Sequence, residues 1–194
     1  MENTANTAFS NTKNQIQKIG WAIFFVGILY YCFAYLLRVY PSVMVDPLLK
    51  QFNMTAGQFG NMTAFYYYAY APMQIPVGMA VDRFGVRRAL ISASLISLVG
   101  IILFTFAPTL GLAELGRFLV GIGAAFAYVT ALKIATLWLP SRYFATATGV
   151  VTGTGMLAAV FTDLYLTHLV QMSGYKHALY FCIICGVVIF ALIF

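Results

Sequence analysis

The chain has 194 residues, of which 62% are hydrophobic and 8% charged, with a formal net charge of +6. A water-soluble domain carries about a quarter charged residues, so this composition excludes a soluble globule and calls for lipid as solvent. The excess positive charge lies at the ends of apolar runs, with no basic stripe interleaved with aromatics, which excludes a nucleic-acid surface and fits membrane topology.

Residues 1–18 are polar and rich in Asn and Thr, and read as a cytoplasmic tail. No small-residue cleavage site follows the first apolar run, so it is not read as a signal peptide. A spanning helix needs about 20 mostly apolar residues. Six such stretches are expected, at 19–46, 57–80, 87–107, 110–138, 143–169 and 177–194. The joints carry turn and charge signals. The first runs through Asp46, Lys50, Gln51 and Asn53, with Thr55 as an N-cap. The second is the stretch from Asp82 to Arg88. Pro108, Pro140 and Gly174 mark the others. No segment alternates with period two, so helices are the spanning form.

With the N-terminus inside, Lys13, Lys18, Arg83, Arg87, Arg88 and Arg142 are cytoplasmic, and only Lys50 and Lys176 lie outside. That asymmetry predicts N-in topology. The last run ends at Phe194 without a polar flank, which predicts that the natural chain continues. Cys32, Cys182 and Cys185 all fall inside apolar runs with no His partners, so neither redox nor metal chemistry is expected of them.

A charge within the hydrocarbon region costs at least about 2.5–3.5 kcal/mol and is a functional candidate by default. At about 1.5 Å per residue, Arg38, Arg117 and Asp163 all sit roughly 9–10 Å outside the midplane. Three charges of opposite sign at one depth predict a shared aqueous pocket. Arg117 and Asp163 can form a structural ion pair, or Asp163 can exchange a proton as substrate binds. Glu114 shares a helical face with Arg117. Lys133 follows Arg117 by 16 positions, about 160° around the helix, and is expected to pair or snorkel near the cytoplasmic end. The second helix puts Tyr67, Ala71, Gln74 and Gly78 on one face, while Pro72 and Pro76 bend it. Tyr66, Tyr68 and Tyr70 spread around it and read mostly as packing or interface residues.

The stretch from Gly78 through Asp82, Arg83, Gly85, Arg87 and Arg88 resembles the signature between helices two and three of the major facilitator superfamily, with Ala80 in place of the usual Leu. Arg117-Phe-Leu-Val-Gly121-Ile-Gly123 is similar to the family's fourth-helix motif, with Val120 replacing Gln. Leu137-Trp138-Leu139-Pro140-Ser141-Arg142 resembles a stretch of anion and carboxylate carriers. The Gly149, Gly153 and Gly155 run resembles the drug-antiporter motif without its Pro. Tyr35 to Met44, Phe65 to Tyr70 and Gln74 to Gly78 look like the phagosomal nutrient transporters of intracellular bacteria.

These resemblances imply an all-α membrane protein, six transmembrane helices forming one half of a twelve-helix fold, in a bacterial inner membrane. They imply secondary transport of a small anionic or zwitterionic nutrient, an amino acid foremost, with proton coupling. A sugar-acid or organic-anion symporter, or a non-transporting fragment, stays open. Arg38, Tyr67, Gln74 and Arg117 would bind substrate. Asp163 and Glu114 would couple protons. Gly78, Asp82, Arg83, Gly85, Arg87 and Arg88 would form a conformational gate. No cofactor and no enzyme activity is implied. The partners are the substrate, membrane lipid, and a missing C-terminal half or a second copy.

Overall fold

The computed structural model describes the backbone from Glu2 to Phe194 and the side chains from Ile19 onward. The tail expected over 1–18 falls outside the described side chains. The elements are α1 (Glu2–Val39), a 3-10 turn (Tyr40–Met44), α2 (Val45–Phe52), α3 (Ala56–Phe84), α4 (Val86–Thr105), α5 (Leu110–Trp138), a 3-10 turn (Ser141–Tyr143), α6 (Phe144–Ser173) and α7 (Tyr175–Ile193). Five stretches are long and apolar enough to cross a membrane: Ile19–Phe52, Val86–Thr105, Leu110–Trp138, Ser141–Ser173 and Tyr175–Ile193. The sixth long helix, α3, is not among them. Its 29 residues include four tyrosines, two internal prolines and several amides.

The expected first span, 19–46, is broken. A proline has no N–H and its ring clashes with the preceding turn, and Pro41 ends α1 at Val39 and opens the 3-10 turn. The segment expected as a joint then folds as α2, which ends with Asn53 in the left-handed region at φ 47°. Thr55 caps α3 as its sequence predicts. The Gln58 N–H donates to Thr55 Oγ1, and the Thr55 N–H donates to Gln58 Oε1 at 2.8 Å. This reciprocal pair satisfies two donors at the helix start.

The joint between α3 and α4 is shorter than expected. Asp82 and Arg83 lie in the last turn of α3, and Arg87 and Arg88 in the first turn of α4, with Gly85 alone between them. Gly85 adopts φ 81°, a region open to glycine and costly for residues with a Cβ.

Helix α5 is the centre of the bundle. Its most apolar window is 61% buried, against 17% for the stretch containing α6. Within lipid the packing of helices depends on close approach rather than on the hydrophobic effect, which favours small residues at interfaces. A Cβ on Gly116 would stand 2.7 Å from the Gly100 carbonyl oxygen, and one on Gly100 would stand 2.8 Å from that of Gly116. On the other side of α5, a methyl at Gly121 would run into the Tyr66 carbonyl of α3. Gly121 and Gly123 are thus packing residues. A Cβ on Gly149 or Gly153 would meet nothing within 4 Å among the described residues, so neither packs against a neighbouring helix.

Candidate functional site

Helices α1, α3 and α5 meet around Tyr66, and this junction sets the polar site. Arg38 sits on the last turn of α1, just before the break at Pro41, and is half-buried. Its Nε–H donates to the Tyr66 hydroxyl at 3.2 Å. Four phenol rings surround its guanidinium carbon: Tyr35 at 4.9 Å, Tyr70 at 5.1 Å, Tyr66 at 5.5 Å and Tyr67 at 6.0 Å. Ring faces carry negative potential and attract a partly desolvated cation. The cage follows from helical spacing. Tyr35 precedes Arg38 by three residues, and Tyr66 and Tyr70 are one turn apart, with rings stacked at 5.6 Å. The terminal nitrogens of Arg38 have no hydrogen-bond partner among the described residues, so its fork is free.

Arg117 approaches from α5 and is 1% exposed. Its guanidinium carbon lies 5.0 Å from the Tyr66 ring and 5.2 Å from the Tyr40 ring. Its Nη1–H donates to the Leu37 carbonyl at 2.8 Å. Tyr66 is therefore shared by two guanidinium groups. A buried charge normally requires a partner, and here aromatic faces and a backbone carbonyl take that part.

Arg38, Arg117 and Asp163, expected to share a pocket, form no ion pair with one another among the described residues. Asp163 is exposed on α6, and among the described residues the one ion pair is between Lys133 and Asp82. The Arg117–Asp163 pair is thereby corrected. Asp163 is exposed where Arg117 is buried, and Arg117 bonds the Leu37 carbonyl through Nη1 while its buried Nε has no hydrogen-bond partner among the described residues. Glu114 does not pair with Arg117. It is half-buried and accepts from Asn61 Nδ2 at 3.3 Å. Tyr67 and Gln74 are both exposed, and the Gln74 amide donates to the Tyr70 carbonyl of its own helix at 3.3 Å. Tyr67 joins the cage and Gln74 stands one turn from it. Tyr35, Tyr66 and Tyr70, expected as packing or not singled out, contribute three of the four rings. The signal available was the i, i+3 and i, i+4 spacing on two helices.

Near the C-terminal ends of α3 and α5, Lys133 Nζ donates to Asp82 Oδ1 at 2.8 Å, with side chains 40% and 67% exposed. Lys133 pairs, one of the two outcomes expected of it. Arg83, Arg87 and Arg88 are exposed, and Arg87 donates to the Phe194 carbonyl at 2.7 Å. Gly78 fronts an open cavity of about 410 Å³ that Asp82, Lys133 and Tyr128 also line.

The profile of the Major Facilitator Superfamily matches residues 23–194. A probable sulfoacetate transporter of Cupriavidus necator is 32% identical over 153 residues, covering 79% of this chain and 36% of that protein. An uncharacterized transporter of Bacillus subtilis is 37% identical over 103 residues, covering 53% of this chain and 24% of that protein. A probable anion transporter of Arabidopsis thaliana is 23% identical over 155 residues, again with 79% and 36% coverage. The chain spans between about a fifth and little more than a third of the length of the curated relatives it matches.

Proposed function

This chain belongs to the major facilitator superfamily, and on that premise we propose that it is the N-terminal six-helix half of a secondary transporter for small organic anions. The observation that carries the reading is the free fork of Arg38 in a tyrosine cage, with no carboxylate in ion-pair range among the described residues. A guanidinium fork suits the planar or tetrahedral oxygens of a carboxylate or sulfonate. Arg117, behind Tyr66, adds positive potential to the same site. The two relatives named for sulfoacetate and anions agree with this class. Tyr67 and Gln74, exposed beside the cage, are the further substrate contacts of this reading.

The amino-acid reading drawn from the motif resemblances needs a partner for the ammonium group. Around Arg38 this half offers only phenol rings already turned to a cation. The organic-anion reading is therefore the stronger. Asp163, exposed and unpaired among the described residues, and Glu114 are the acids on this half that could carry a coupled proton. The Asp82–Lys133 pair and the arginines around Gly85 would gate the cytoplasmic side as the half rocks against a second six-helix unit, from the same chain or a second copy. In this reading the protein lies in a bacterial inner membrane with its N-terminus in the cytoplasm.

The test is uptake by the full-length gene product in proteoliposomes. Labelled sulfoacetate should accumulate with an inward proton gradient, and nitrate or other small anions should compete. Leucine and glycine should not. Accumulation of an amino acid that sulfoacetate fails to inhibit would refute the reading.

A further inference from the structure

We infer that Arg117 is a positioning residue for Arg38, acting by supplying the hydrogen bond that Pro41 cannot give to helix α1. In an α-helix the carbonyl of residue 37 accepts from the N–H of residue 41. Residue 41 is proline and has none. Leu37 is fully buried, and in lipid no water replaces a missing donor. Arg117 takes this place from another helix, its Nη1–H reaching the Leu37 carbonyl at 2.8 Å.

The consequence falls on Arg38. The Leu37 carbonyl and the Arg38 N–H belong to one planar peptide unit, so holding that oxygen fixes the plane from which the Arg38 side chain leaves the helix. Arg117 braces the same side chain a second way. Its guanidinium lies 5.0 Å from the Tyr66 ring, whose hydroxyl accepts from Arg38. A second carbonyl at the break is also served from a side chain, the Ser42 hydroxyl donating to Val39 at 2.7 Å. The break is thus stitched, and its long-range stitch comes from the most buried helix of the bundle. The fully buried Arg117 points to backbone and rings, while the half-buried Arg38 keeps its fork free. This separates the two arginines into a substrate ligand and its support, and so departs from the expectation that both bind substrate. It rests on the organic-anion reading only in taking Arg38 as that ligand.

The experiment is a double-mutant cycle in the full-length protein: wild type, Arg117→Met, Pro41→Ala and the double variant, with Arg117→Lys beside them. Each is read by thermal midpoint in detergent and by KM and kcat for sulfoacetate uptake. Removing a buried guanidinium also removes its desolvation cost, so the coupling between the two sites is the decisive quantity. In the double variant, position 41 regains an N–H that can bond the Leu37 carbonyl. Arg117→Met should raise KM about tenfold with kcat little changed. The added Pro41→Ala should recover most of that loss and shift the midpoint non-additively. Arg117→Lys, which keeps one donor, should fall between. A direct substrate contact would give a KM loss that Pro41→Ala leaves untouched, and additive midpoints would equally overturn the inference. If Arg117→Met does not fold, the cycle with Arg117→Lys decides the same question. If sulfoacetate is not taken up at all, the anion reading fails and the midpoint cycle still tests this one.

Discussion

Arg38→Lys is the substitution that most directly probes the cage. It keeps the positive charge and changes its shape. In the structure Arg38 spends only Nε on the protein, donating to Tyr66 at 3.2 Å, and leaves its terminal nitrogens for an oxyanion. A lysine ammonium is a point donor, so it can replace one bond of a fork but not a parallel pair. One lost charge-assisted hydrogen bond is worth about 1.5–3 kcal/mol. At about 1.4 kcal/mol per factor of ten, KM for the transported anion should rise about ten- to a hundred-fold. A changed cation–π contact with the Tyr35 and Tyr70 rings adds to this. Because Arg38 is half-buried and its substitute is also a cation, the thermal midpoint should move little. The assay is concentration-dependent uptake by proteoliposomes carrying the full-length protein, with the midpoint measured on the same preparation. A KM within about threefold of wild type, well under the cost of one such bond, would show that the fork does not grip the substrate, and the site would have to be sought elsewhere.

Two further outcomes test the frame that holds this site. Gly116→Ala places a Cβ 2.7 Å from the Gly100 oxygen and 2.8 Å from the Phe104 nitrogen. Both are backbone atoms, so α4 and α5 must separate, at a cost of about 1–3 kcal/mol; the midpoint should fall clearly, while Gly153→Ala, with open space around it, should not lower it. The Asp82–Lys133 pair is too exposed to add more than about 1 kcal/mol of stability, so Asp82→Asn should leave the midpoint alone but slow turnover. Exchanging the two charges, Asp82→Lys with Lys133→Asp, should restore most of the rate, and failure to do so would remove the pair from the gating reading.

Much of the architecture was legible because lipid imposes strict demands. Apolar runs of spanning length, separated by Pro108, Pro140 and Gly174, marked α4 to α7 to within a few residues. The Thr55–Gln58 capping box could be read directly, since it depends only on residues three apart. The break at Pro41 was also within reach, as proline acts through its own backbone, yet the length of the apolar run outweighed it in the reading of 19–46 as one span. The stretch read as a second span, 57–80, folds as α3, the long helix outside the five apolar ones, its tyrosines, prolines and amides making it the less lipid-like.

Side-chain partnership was not legible in the same way. Spacing placed Arg38, Arg117 and Asp163 at one height, but height leaves the angle around each helix and the rotation of one helix against another undetermined. Those are set where Gly100, Gly116 and Gly121 let backbones touch. The order of residues was enough to place Arg38, Arg117 and Asp163 within apolar helices, but of the three only Arg117 is fully buried. It took the packed bundle to surround Arg38 with rings, turn Arg117 to Leu37 and leave Asp163 apart. A helix's own residues decide its local bonds, whereas a long-range contact depends on how closely three helices can approach.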